Sequence, residues 1–150
     1  MTSTHTEVRS ALQVLSLRIG RSSAELSGQN IGNAFYSLHS MSNVDERGAD
    51  VKEVSEILTS LANKLVVTKS VFSSLDIAMS LYGLRSMNTD SPIVRVILSA
   101  LLIKMKSSPE QMHLRTLMII IVGLLKTPTG IKDDFLRVLA GKMPGMVYLQ

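Results

Sequence analysis

The chain has 150 residues and no cysteine, and its 16 basic and 12 acidic residues give a formal net charge of +4. One domain of this length buries most of its unfolded surface, and a hydrophobic content of 45% excludes a disordered chain. The lack of cysteine excludes disulfides and thiol nucleophiles, and the mildly basic balance permits nucleic-acid binding without requiring it.

The N-terminal stretch MTSTHTEVRSALQVLSLRIGRSSA is rich in Ser, Thr and Arg and has few acids. This composition is typical of an organellar transit peptide. The same stretch also fits an amphipathic helix, because Val8, Leu12, Leu15 and Ile19 are spaced by four, three and four residues. We favour the helix because its pattern, termed the B segment, recurs as VSEILTSLANK, VRVILSALLIK and DFLRVLAGK.

A second pattern, I-x-x-x-x-Y-x-L-x-S-M, occurs in LSGQNIGNAFYSLHSMSNVD from Leu26 and again in FSSLDIAMSLYGLRSMNTDS from Phe72. A weaker third copy of this A segment begins at Leu117, where VGLLKT replaces YGLRSM. The two segments alternate as B-A-B-A-B-A-B, with a repeat of roughly 38–46 residues. The first repeat is longer because it contains the acidic stretch SNVDERGAD, which we place in a loop between an A and a B segment.

The first A segment predicts an amphipathic helix. Its apolar residues Ile31, Phe35, Leu38 and Met41 lie on one helical face. The opposite face is polar and consists of Asn30, Asn33, Ser37 and Ser40. The equivalent positions are Asp76, Met79, Gly83 and Ser86 in the second A segment, and Thr116, Ile119, Gly123 and Lys126 in the third.

Helix starts are predicted from capping residues. Ser27 and Ser73 are N-caps, and Ser73 forms a shortened capping box with Asp76. Ser91 and Pro92 predict a cap followed by proline at the first helical position. An apolar pair at the start of each A segment fits a hydrophobic staple: Leu26 with Ile31, Phe72 with Ile77, and Met112 with Leu117. The pair Asp133 and Asp134 is expected in the first turn of the last B helix, where the macrodipole favours acids.

The fold class predicted is all-α, an α-solenoid of about three and a half helix-turn-helix repeats in a single domain over residues 1–150. The repeat-like units are about 7–25 (partial), 26–71, 72–111 and 112–145. A closed seven-helix globule is the less favoured alternative.

The apolar run from Leu117 to Leu125 is too short for the roughly 20 residues of a spanning helix, so no membrane span is expected. Both ends of the array lack the polar caps of a solenoid, so we expect further repeats or a protein partner there.

The A segments, followed by L-x-x-L-x-x-K, resemble the helical-hairpin repeats of organellar proteins, namely the octatricopeptide and heptatricopeptide types associated with RAP domains. The resemblance covers about residues 7–142. It implies single-stranded RNA binding in a mitochondrion or plastid, or a place in an organellar assembly such as a ribosome. In such arrays the polar face of each A helix commonly lines the binding surface, which here implies roles for Asn30, Asn33 and Ser37. This face becomes less polar from the first A helix to the third, which argues against recognition of one RNA base by each repeat.

A basic residue recurs near the end of every B segment, at Arg18, Lys64, Lys104 and Lys142. Equivalent positions of a solenoid align along one edge, so the four residues predict a cationic ladder that follows a phosphate backbone. The alternative, which we favour, is that these cations interact with the negative ends of their own helices.

Two further pairs occupy equivalent A positions. Tyr36 and Tyr82 can stack on bases, although we favour packing in the core because the third copy has Val122. His39 and Arg85 can contact a ligand, although ordinary half-exposed side chains are favoured. The three histidines share no metal-ligand spacing and no phosphate-binding glycine loop is present, so no metal, cofactor or catalytic residue is predicted.

Two functions remain open at this point. The favoured one is a non-enzymatic module that binds single-stranded RNA in an organelle through its basic and polar face. The alternative is a scaffold or structural subunit that docks on protein partners through its surface or its ends.

Overall fold

The computed structural model describes residues 6–41 and 51–143. These two ranges contain seven α-helices and no strand, which confirms the all-α prediction. No helix within them is both long enough and apolar enough to cross a membrane. The helices are α1 (Thr6–Arg21), α2 (Gly28–His39), α3 (Lys52–Val67), α4 (Ser74–Leu84), α5 (Pro92–Ser107), α6 (Leu114–Gly123) and α7 (Thr129–Lys142).

The helices stack in two layers. Each one packs mainly against the helix two positions along the chain, so the B segments form one layer (α1, α3, α5 and α7) and the A segments the other (α2, α4 and α6). This is the packing of an α-solenoid, in which each repeat buries the apolar face of its neighbour. A single core runs between the layers, and its most buried large side chains include Phe35, Phe72 and Phe135.

Local capping fixes where the A helices begin. The Ser27 and Ser73 hydroxyls each accept a hydrogen bond from the backbone three residues on, and Asn30 and Asp76 complete the two capping boxes. Ser91 precedes Pro92 as predicted but makes no capping hydrogen bond with its side chain. The predicted place of the two aspartates 133 and 134 is wrong: α7 begins at Thr129, so they lie in its second turn.

The two leucines of the L-x-x-L pattern in each B segment pack against different neighbouring repeats. Both leucines of L-x-x-L are buried in the interior helices α3 and α5. In α1, Leu12 is buried but Leu15 is 48% exposed, whereas in α7 Leu139 is buried but Leu136 is 42% exposed. The first leucine therefore faces the following repeat and the second faces the preceding one. The spacing of the B pattern places Leu15 and Leu136 on the same helical face as the buried leucine of their own helix, but both are exposed because each lacks that neighbour in the described part of the chain.

Two glycines set the distance between the A helices. A Cβ at Gly83 would lie 2.2 Å from the Phe35 carbonyl oxygen, and one at Gly123 would lie 2.7 Å from the Leu81 carbonyl carbon. Both glycines are buried in the helix contacts. The prediction that they line an exposed polar face is therefore wrong, because the backbone of the preceding A helix occupies that side.

Candidate functional site

The lysines of the predicted ladder reach back to the preceding repeat. Lys64 Nζ donates to the carbonyl oxygens of Ser22 and Ala24, the latter at 3.0 Å. In the same way, Lys104 Nζ donates to the Thr68 carbonyl oxygen, and Lys142 Nζ donates to the Ser108 carbonyl oxygen. We term these three lysines the repeat clamp.

The repeat clamp satisfies carbonyl groups just past the C-terminus of the preceding B helix. Thr68 and Ser108 are the C-caps of α3 and α5, where backbone carbonyls have no partner within their own helix. The Lys104 ammonium also lies 5.6 Å from the centre of the Phe72 ring. Arg18 holds the equivalent place in α1, is exposed, and has no preceding helix among the described residues. Phosphate binding by these four cations remains a prediction.

We expect Lys104→Met to lower the free energy of unfolding by about 1–2 kcal/mol, because it removes a charge-assisted hydrogen bond and leaves the Thr68 carbonyl without its donor. Urea unfolding followed by circular dichroism measures the change. The matched control is Lys106→Met, two residues further along the same helix, where the side chain is exposed and the effect should stay within about 0.5 kcal/mol. Equal losses in both variants would contradict the clamp.

The predicted polar face of α2 is exposed at all four of its positions. The Asn30 carboxamide oxygen accepts from the Ser27 hydroxyl at 2.8 Å, and the Ser37 hydroxyl donates to the Asn33 carbonyl oxygen at 2.8 Å. Ser37 stands where α4 and α6 have Gly83 and Gly123. Since those glycines touch the preceding A helix, this polar face of α2 is turned toward the N-terminal end of the A layer.

An aromatic cluster lies where α2 and α4 meet, near the C-terminal ends of both helices. The Tyr36 and Tyr82 rings are 5.6 Å apart between centres, and the His39 ring meets Tyr82 edge-on at 5.1 Å. The Arg85 guanidinium lies over the Tyr82 ring, 4.4 Å from its centre. Core packing was the favoured prediction for both tyrosines. It is wrong for Tyr36, which is 44% exposed because it points outward from the A layer.

His39 is half-buried within this cluster. Burial lowers the pKa of the imidazole, and the charge of Arg85 lowers it further. The ring is therefore neutral near pH 7, which suits contact with an aromatic face. Its Nδ1 atom is buried and has no hydrogen-bond partner within the described residues.

Two depressions adjoin the aromatic cluster on the outer face of the A layer. A groove of about 620 Å³ runs between α4 and α6. A second hollow of about 240 Å³ lies at the C-terminal ends of these helices. The groove is lined by residues that include Tyr36, Met79, Tyr82, Arg115 and Ile119. The hollow is lined by His39, Arg85, Ser86, Val122, Leu125 and Lys126.

The predicted site residues fall into separate groups. The structure brings His39 and Arg85 together around Tyr82, but the repeat clamp lies at the opposite edge of the array. That edge is where B helices end and A helices begin, so the length of an A helix, roughly 16 Å for 11 residues, separates the two groups. Asn30, Asn33 and Ser37 form a third group at the N-terminal end of the A layer.

Sequence reasoning missed Arg115 as a site residue. The repeat register contains the signal, since Arg115 precedes Val122 by seven residues, just as Leu75 precedes Tyr82. Tyr36 and Tyr82 point outward, and Val122 is their equivalent in α6. Arg115 lies two helical turns before Val122, so it is expected on the same outward face.

Within residues 6–41 and 51–143, no group of His, Asp and Glu side chains is arranged to hold a metal ion. Comparison of the chain with protein-family models, with curated proteins and with solved structures finds no match.

Proposed function

We propose that the protein binds single-stranded RNA across the outer face of its A layer. The observation that carries the proposal is the exposed Tyr36 ring beside Tyr82, with Arg85 over the second ring and a groove of about 620 Å³ alongside. Aromatic faces accept any base by stacking, worth about 1–3 kcal/mol per base, and a guanidinium on a ring adds a cation at the same place.

Cations flank the tyrosines on both sides of this surface. Arg115 lines the groove and Lys126 lines the neighbouring hollow, and both are exposed. Neither makes an ion pair with a described residue, so no described acid competes with phosphate for them. A strand laid across α4 and α6 would place bases on the rings and phosphates on these two residues.

The role proposed is binding rather than catalysis, in a mitochondrion or plastid. Its support is the resemblance of the repeats to organellar RNA-binding arrays. Detection of the native protein by an antibody in fractionated cells tests the location, and its absence from both organelles would contradict it.

Binding is measured by fluorescence anisotropy with a labelled, mixed-sequence single-stranded RNA at several salt concentrations. Each phosphate contact contributes a slope of about −0.7 to log K against log salt. We expect the double variant Arg115→Gln and Lys126→Gln to make that slope shallower by about 1.4, because two contacts are lost.

The control is a second double variant, Lys69→Gln and Lys106→Gln, which removes the same charge from exposed positions at the opposite edge. It should leave most of the slope intact. Equal changes in both variants would show that only net charge matters. No binding of the wild type at low salt would refute the proposed function.

A further inference from the structure

The B layer carries an apolar groove that the proposed RNA surface does not use. It lies between α3 and α5, measures about 450 Å³, and is lined by residues that include Val66, Arg95, Val96, Ala100 and Ile103. Two of its wall residues are largely exposed, Val66 at 59% and Ile103 at 64%. Val67 and Val71, both exposed, extend the apolar surface beyond α3.

The shape of the groove follows from residue size along α5. Val96, Ala100 and Ile103 are spaced by four and three residues and form a seam on the outward face of the helix. The small Ala100 and Ser99 lie at the middle of the seam, with larger side chains at both ends. A seam of this spacing with a shallow centre accepts the knobs of another helix.

The charges around the groove select the partner. Arg95 and Lys104 line the groove, and no acidic side chain is among its lining residues. Lys106, three residues after Ile103 on α5, is exposed. Arg95 contacts Asp90 at 3.6 Å, but Asp90 is so exposed that this pair is weak. Lys104 presents its aliphatic stem to the groove while its ammonium serves the repeat clamp. The surface is thus apolar in the middle and cationic at its margins.

We propose that this groove binds an amphipathic α-helix of a partner protein, with an aliphatic seam and acidic flanking residues. The aliphatic side chains of the partner helix fill the groove between Val66 and Ile103, and its acidic side chains pair with Arg95 and Lys106. RNA is a poor fit, because the floor of the groove is aliphatic and contains no aromatic ring on which a base stacks. This inference does not depend on RNA binding by the A layer.

The test uses synthetic labelled peptides of 18 residues and the full chain. One peptide has leucines at alternating spacings of four and three with glutamates flanking them, the second has lysines in place of the glutamates, and the third is a scramble of the first. We expect the acidic peptide to bind at least about tenfold more tightly than the basic one, and the scramble to bind no better than the basic one.

Ile103→Glu places a negative charge in the apolar seam of α5 and should lower the affinity for the acidic peptide on the order of 100-fold. The control Met118→Glu changes another exposed apolar side chain, on α6 of the A layer, and should leave the peptide affinity unchanged. Equal affinity for the acidic and basic peptides, or no effect of Ile103→Glu, would overturn the proposal. Displacement of the peptide by single-stranded RNA would assign the groove to nucleic acid instead, and would also overturn it.

Discussion

Gly83→Ala is expected to lower the free energy of unfolding by about 3 kcal/mol, a large effect for the addition of one methyl group. The added Cβ would lie 2.2 Å from the Phe35 carbonyl oxygen and 2.6 Å from the Tyr36 nitrogen. These are backbone atoms of a neighbouring helix, so relief requires α2 and α4 to move apart rather than a side chain to turn. The separation would also loosen the core beneath both helices. Urea unfolding followed by circular dichroism measures the loss.

The matched control is Gly141→Ala in α7. An added Cβ there meets no described residue within 4 Å, so only helix propensity should change. We expect a gain of up to about 1 kcal/mol, less if the last turn of the helix is frayed. If the two alanine variants have similar stability, the close contact between α2 and α4 does not exist in solution.

The adjacent residues Phe35 and Tyr36 are expected to respond in opposite ways to alanine. Phe35 is fully buried, so Phe35→Ala should cost about 3–5 kcal/mol of stability. Tyr36 points outward, so Tyr36→Ala should cost less than about 1 kcal/mol. The same substitution should lower the affinity for single-stranded RNA by roughly 5–150-fold, which corresponds to one lost base stack of about 1–3 kcal/mol. Unfolding and anisotropy titrations on the same preparations separate the two effects.

Tyr36→Phe serves as the conservative variant, because it retains the ring and removes only the hydroxyl. It should keep most of the RNA affinity. A Tyr36→Ala protein that unfolds as easily as Phe35→Ala would place Tyr36 in the core after all. A stable Tyr36→Ala protein with unchanged RNA affinity would remove the tyrosine from the proposed site.

The repeat pattern was sufficient to predict the helices and their alternation. Apolar spacing of three and four residues placed Ile31, Phe35 and Leu38 on one face of the first A helix, and all three are buried in the core. The same rule failed for Leu15 and Leu136, because periodicity describes the face of a helix and not whether a neighbour covers it. It also failed for Gly83, where the absence of a side chain was mistaken for exposure instead of close packing.

The candidate site was only partly predictable. His39 and Arg85 were recognised as equivalent positions, but their meeting around Tyr82 depends on how far α4 is rotated against α2. The contacts of Lys64 and Lys104 were hidden for another reason. Their acceptors are loop carbonyls, which every residue carries, so no side chain in the sequence marks them.

The repeat clamp also gives the molecule an order of assembly. Each of its lysines reaches a carbonyl that lies 34–42 residues earlier in the chain, and never one that is still to be made. During synthesis, a newly emerged B helix can therefore dock at once on a finished surface, without waiting for downstream sequence. The direction of the three lysine contacts thus fits docking of each B helix on the repeat made before it.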